Sequence, residues 1–327
     1  MRILGHIHTF NDENVIERCL GALLAQTRPA DAILIVDNGS TDGTLDRDFP
    51  PEVTVVRNGH NMGTSGAVHI GLKYAMENGF DWALILDADC ALRPDALEKL
   101  VALWESLSPD VQAKIWRLSS LPMELPEKAV SVPFSVSLAF YEGNQTPRPR
   151  HGVVFSDRGY ARVVPEAGAS HYACDATIWS GCMFRLEAVR EVGLPPMDYV
   201  LDWGEYEYGY RGKRKGFKAL MSQESLLDHN IRGHASFQFT RYGIGPFAFQ
   251  LIEMPPIRCY YVIRNTLYFW LFEFHGPSLR AALPRIFKMV FLTLNFAVRP
   301  ISHREHFKAC LRGFRDGLAK RMDRRYP

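Results

Sequence analysis

The chain has 327 residues, 47% of them hydrophobic, enough for one large domain or two ordinary ones with a sizeable core. Its 38 basic and 36 acidic side chains leave a formal net charge of +2, a balance that points to no particular partner and gives no ground for nucleic-acid binding. Six cysteines without Cys-x-x-Cys spacing read as reduced thiols of a cytosolic protein, not as a disulfide framework or zinc site. The first residues, MRILGHIHTFNDENV, lack the pattern of a signal peptide, and no apolar run reaches the roughly 18 residues of a spanning helix.

RILGHIHTF (2–10) reads as a strand. ENVIERCLGALLAQT (13–27) follows as a helix, with Val15, Ile16, Cys19, Leu20, Leu23 and Leu24 on one face and Asn11 or Asp12 as its expected cap. AILIVDN (32–38) is the continuous apolar run of a strand buried on both faces. GSTDGT is turn chemistry, and VTVVRN (53–58) is another short strand. SGAVHIGLKYAMENG is a helix closed by Gly79; WALILDAD (82–89) is the fourth strand; RPDALEKLVALWESL is the helix after it. This alternation predicts a wound, mostly parallel α/β sheet, in which ligands bind at the carboxyl ends of the strands. Residues 110 to 170 look strand-rich and include the Pro-containing loop EGNQTPRPRHG (142–152). From about 255 the chain turns helical, aromatic and basic.

Asp87 and Asp89 end the fourth strand. On an extended chain positions i and i+2 point the same way, so the two carboxylates should crowd each other unless a cation lies between them. Such a pair suits a hard divalent ion, Mg²⁺ or Mn²⁺, although an isolated Asp-x-Asp is also an ordinary solvated strand end. Asp37 in VDNGSTDGT can accept hydrogen bonds from a base or ribose, or simply start a turn. Asn61, Gly63 and Gly66 precede a helix whose N-terminus favours an anion.

Taken in order, HTFNDENVIERCLGALLAQT, ILIVDNGSTDGT, NMGTSGAVHIGL and LILDADC resemble the inverting family-two glycosyltransferases with the GT-A fold. Asn38 and the Asn-x-Gly loop are most similar to the bacterial rhamnosyltransferase and galactofuranosyltransferase branch. The resemblance covers about residues 1 to 235 and implies a wound, mixed α/β sheet of GT-A type with a helical C-terminal extension over 236–327. It implies a donor site at Thr9, Asn11, Asp37, Asn61 and Gly63, with Asp87 and Asp89 holding Mn²⁺ or Mg²⁺ on the diphosphate. In the segment 176–230 it implies an acceptor turn at Trp179, Ser180 and Gly181. There Arg211 sets the register of the acidic motif and Glu205 falls on the position of the catalytic base. Gly204 replaces an acid of the family pattern and Glu205 replaces an Asp, so Glu207 and Asp202 stay open as bases. His229 in LLDHN matches a third metal ligand, with His234 as its competitor. Trp203 reads as a platform for a sugar face or as core.

The expected donor is a dTDP- or UDP-linked sugar, rhamnose-like or galactofuranose-like, and the expected acceptor a cell-surface or lipid-linked glycan. The aromatic segment 257–276, the apolar stretch RAALPRIFKMVFLTLNFAVRP (280–300) and the basic end 303–327 fit an interfacial helix on the inner face of the plasma membrane. They equally fit core or homo-oligomer contacts in a cytoplasmic protein. Two rivals to transfer remain: a nucleotidyltransferase, for which the Gly-rich basic loop after the first strand is missing, and a non-catalytic nucleotide-sugar or glycan-binding protein of the same fold.

Overall fold

A computed structural model describes residues 1–124, 148–149, 151–229, 238–242, 249–274, 282–297 and 303–323. Most of the loop 142–152 and His234 lie outside the described residues. The chain divides into two compact units, the first built of residues 1–124 and 149–232, the second containing the described residues from 238 onward.

The first unit begins β1 (Ile3–Thr9), α1 (Ile16–Leu24), β2 (Ala32–Asp37), β3 (Val53–Arg57), α2 (Gly63–Glu77), β4 (Trp82–Asp87). β5 (Ala91–Leu92), α3 (Ala96–Ser106), α4 (Pro109–Gln112), β6 (Ile115–Glu124) and the two-residue β7 (Arg148–Pro149) follow. The remainder is β8 (Val153–Ser156), β9 (Gly159–Arg162), β10 (His171–Cys174), β11 (Cys182–Arg185), α5 (Leu186–Val192), α6 (Gly204–Arg214) and β12 (Lys218–His229).

The main sheet runs β10-β12-β6-β11-β4-β1-β2-β3. β1, β2, β3 and β4 are mutually parallel, so their carboxyl ends share one edge. β11 inserts antiparallel between β4 and β6, and β12 runs parallel to β6, which makes the sheet mixed. The run Leu34, Ile35, Val36 is fully buried because one core lies on each side of the sheet. α1 and α3 cover one face with Ile16, Leu20, Leu97 and Leu100, and α2 covers the other with Val68 and Leu72. Burying an aliphatic side chain of this kind is worth about 1.5–3 kcal/mol.

Three local expectations are corrected. β4 stops at Asp87, and the Cys90 amide bonds the Asp87 carbonyl at 3.1 Å, so Asp89 reaches the site through a turn and not through strand alternation. α1 starts behind Val15 with no side-chain cap. The Asp12 carboxylate instead accepts from Thr9 Oγ1 and the Phe10 amide, both at 2.9 Å. The chain past 236 is not helical at once: β12 is followed by an antiparallel hairpin, β13 (Gln238–Tyr242) and β14 (Phe249–Glu253).

The second unit continues with α7 (Pro256–Tyr268), a π-helical turn at Phe269–Glu273, α8 (Leu283–Ala297) and α9 (Arg304–Leu318). α7 packs against α9 and α8. Arg264 and Asn265 are fully buried; the Arg264 guanidinium bonds Asn265 Oδ1 at 2.9 Å and the Met322 carbonyl at 3.1 Å.

Candidate active site

Parallel register brings the ends of β1, β2 and β4 together: Thr9 lies beside Asp37, and His8 beside Asp87. Asp37 is buried, and its carboxylate accepts the Ser40 amide at 3.1 Å. Asn11 sits at φ 56 with its Oδ1 accepting the Thr41 amide at 2.8 Å. The Asn38 side-chain amide donates to the Gly63 carbonyl at 3.2 Å and its Oδ1 accepts from Asn58 at 3.1 Å, tying the ends of β2 and β3 to the start of α2. Asn61 Oδ1 accepts the Gly63 amide at 2.8 Å. Gly63 has φ 70, and a Cβ there would lie 1.8 Å from the Val200 carbonyl oxygen. This is a left-handed position in direct backbone contact, which only glycine fills without cost.

Asp87, Asp89, Cys90 and His229 each offer a ligand atom within 4.8 Å of the others. β5 explains the gathering. It lies just past the Asp-x-Asp turn and pairs with Leu227 and Asp228, which delivers His229 to 3.8 Å from Asp87. Arg93 clamps the same junction on Asp228 at 2.8 Å.

The two carboxylates are electrostatically unlike. Burial pushes the Asp87 carboxyl up, but His8 and then His229 outweigh it and hold it well below the ordinary carboxylate range. His8 Nε2 is 2.5 Å from Asp87 Oδ1. Burial and the charge of Asp87 push Asp89 up. Cys90 is pushed well above its usual value by burial and then by the two carboxylates, and its thiol lies against Ser180 Oγ at 3.2 Å. A protonated thiol is a poor ligand for a hard ion, which leaves two carboxylates and an imidazole as the donors.

The expected acceptor turn divides. Trp179 is 4% exposed, its ring packed on Tyr208 at 5.6 Å and Phe184 at 6.0 Å, which puts it in the core rather than at an open face. Ser180 is buried, and its Oγ accepts the Asp87 amide at 2.7 Å. The Gly181 amide bonds the Ile85 carbonyl at 2.8 Å. These two residues brace the end of β4.

Asp202 and Trp203 both take left-handed φ, 58 and 72, immediately before α6. For a bulky Trp that conformation costs energy, and such strain collects at functional sites. Trp203 stands half-buried with Tyr206 at 5.4 Å and Tyr160 at 6.3 Å, a cluster of aromatic rings. Gly204 is explained by packing, because a Cβ there would lie 1.9 Å from Ser65 Oγ of α2. The missing side chain lets the start of α6 close against α2.

The acidic pair of α6 separates clearly. Glu207 is buried and bound twice by Arg211, at 2.6 and 2.9 Å. Glu205 is partly exposed on the first turn. Burial raises the Cys182 thiol, Arg117 and Ser119 oppose it, and Asp87 and Glu205 both add to it, so both carboxylates act on one point of β11. Residues not singled out from the sequence are His8, Ser180 in its bracing role, and Tyr160 on the β8–β9 hairpin.

Residues 6–130 match the family model described as glycosyl transferase family 2. Galactofuranosyltransferase GlfT1 of Mycobacterium tuberculosis is 25% identical over 65% of this chain and 65% of its own length. The dTDP-rhamnosyl transferase RfbF of Shigella flexneri is 22% identical over 96% of this chain and 95% of its own. The chain spans 43% and 65% of the length of two curated relatives it matches. GalNAc-T7, solved with UDP, GalNAc and Mn²⁺, superposes with a TM-score of 0.57 at 15% identity over 98% of this chain and 56% of its own, which identifies the fold as GT-A.

Proposed function

We propose that the chain, whose residues 6–130 match the model of glycosyl transferase family 2, is a glycosyltransferase that moves a sugar from a nucleotide-diphosphate donor to a glycan hydroxyl, with inversion and with a divalent ion. The observation that carries the reading is the gathering of Asp87, Asp89 and His229 at the carboxyl edge of the GT-A sheet.

Thr9, Asn11 and Asp37 line the edge where a base and ribose would lie, and Asn61 and Gly63 the loop facing the diphosphate. Asp87, Asp89 and His229 would hold Mn²⁺ or Mg²⁺, with two hard oxygen donors and one imidazole. The ion would neutralise the diphosphate as it departs. Glu205 takes the proton of the acceptor hydroxyl; the hydroxyl oxygen bonds the anomeric carbon as the bond to the diphosphate oxygen breaks on the opposite face. Glu207 is spoken for by Arg211, which favours Glu205 of the two. Trp203, Tyr206 and Tyr160 offer aromatic faces to an acceptor sugar.

The printed names of two relatives, a galactofuranosyltransferase and a dTDP-rhamnosyl transferase, support dTDP-rhamnose or a UDP-linked galactofuranose as donor. The acceptor we assign is a cell-surface or lipid-linked glycan. Six free, buried cysteines suit a reducing compartment, and we place the enzyme in the cytoplasm. The test is turnover of a panel of dTDP- and UDP-sugars with Mn²⁺, with and without chelator. Chelator-sensitive release of the nucleoside diphosphate is expected. Donor binding without release would make this a binding protein, and chelator-insensitive turnover would remove the ion from the reading.

A further inference from the structure

The outer face of α8 is hydrocarbon from end to end. Leu283, Phe287, Val290, Phe291 and Leu294 are 45, 70, 38, 70 and 55% exposed, whereas Thr293 and Asn295 of the same helix are buried. Met289 and Phe296 are buried with them, so the helix carries apolar side chains on both its inner and its outer face. Five large apolar side chains thus share one contiguous exposed face, a feature that is often functional.

Charge says what kind of partner fits. α8 contains no acidic residue, and Lys288 stands exposed at the edge of its apolar face. α9, packed beside it, exposes Arg304, Lys308, Leu311, Arg315 and Leu318 at the spacing of one helical stripe. Of its two acids, Asp316 is buried and pairs with Arg315 at 2.9 Å, and Glu305 is engaged by Lys308 at 2.7 Å, so Arg304 and Lys288 supply the basic charge that neither acid meets. A second copy suits this surface poorly. Self-pairing of α8 would bring its basic side chains together with no acid of the same helix to meet them. No helix among the described residues is long and apolar enough to cross a membrane.

We propose that α8 lies in the plane of an anionic phospholipid surface, Phe287, Phe291 and Leu294 among the acyl chains, with basic side chains of α8 and α9 against the headgroups. This deepens the reading of a lipid-linked acceptor by naming the surface where it is met, and rests on that reading only for its purpose.

The test is sedimentation of the full chain with phosphatidylglycerol-containing and pure phosphatidylcholine vesicles, with donor turnover and thermal melting measured on the same preparations. Binding is expected on the anionic vesicles only, falling as salt rises. Phe287→Ser with Phe291→Ser should abolish it without moving the melt, and Lys288→Glu should weaken it about fivefold or more. Absence of binding, binding unaltered by the double variant, or a concentration-dependent dimer that the double variant dissolves would overturn the proposal. Donor turnover without sedimentation sinks this proposal alone. Sedimentation without turnover sinks the transferase reading and leaves this one standing.

Discussion

At the carboxyl edge of the sheet the chain buries charge, whereas on α8 it exposes hydrocarbon. Both depart from the ordinary partition of side chains between core and water. At the sheet edge the departure is compensated from within: His8 and His229 face Asp87, Ser180 holds its backbone, and Arg93 pins Asp228. On α8, among the described residues, nothing covers Phe287 and Phe291, which stand 70% exposed. A site prepared for a small charged ligand can be stable while empty, because fixed dipoles and imidazoles stand near the ligand's place. An apolar face has no such substitute, since only an apolar phase relieves it.

The largest effect that sharpens this contrast is expected from Asp89→Ala. Turnover should fall on the order of 10³-fold, because the ion's share of transition-state stabilisation is several kcal/mol. Metal-dependent donor binding should weaken too. The melting temperature without metal should hold or rise, since a partly buried carboxylate crowding Asp87 is gone. A large drop in melting temperature would mean that the edge is a structural charge cluster. Glu205→Gln should lower turnover about 10²-fold or more and leave calorimetric donor affinity unchanged. Full activity would move the base elsewhere. Glu207→Gln sets the control: breaking the pair with Arg211 should cost about 2 kcal/mol, read by denaturant unfolding, a figure reduced because Arg211 is 28% exposed.

These residues differ in how far the sequence could reveal them. That Asp87, Asp89 and His229 would lie together was legible because motif position on a wound sheet is local, and parallel strands deliver their ends to one edge. The geometry of the pair was not legible, since nothing in LILDAD says that the strand stops at its first acid, two residues short of the second. The roles of Glu205 and Glu207 were separable in principle: Glu207 and Arg211 are four apart on a helix, the spacing of a paired surface. Trp179 was not separable, because whether a ring faces core or cleft depends on Phe184 and Tyr208, which reach it by tertiary packing. His8 required the register between β1 and β4. Tyr160 required the β8–β9 hairpin, in a region read only as strand-rich.

His8→Val tests whether internal compensation prepares the edge for an ion. With the imidazole gone, burial acts on Asp87 with His229 alone opposing it, so its carboxyl should move up. Mn²⁺ affinity at neutral pH should fall roughly 10–100-fold, the usual cost of losing a group that orients a ligand. An unchanged affinity would reduce His8 to a packing residue.

The smallest expected effect is a pH dependence with a definite sign. Burial and then Asp87 raise the Asp89 carboxyl, so over a window above the ordinary carboxylate value near 3.9 the folded protein still holds a proton there. An ion must displace it. Mn²⁺ affinity should therefore climb about tenfold per pH unit through that window and level off above the raised value. Folding without metal should respond oppositely to the same group. The folded state binds the proton more tightly than the unfolded chain, so this contribution to stability is present at low pH and lost as pH rises through the raised value. Asp87, held low, acts the other way, its contribution being lost as pH falls below the ordinary range. Asp89→Asn removes the first term and keeps the second. Its metal-free unfolding free energy should no longer decline as pH rises through the window, and a decline of the original size would place the titrating proton on another group.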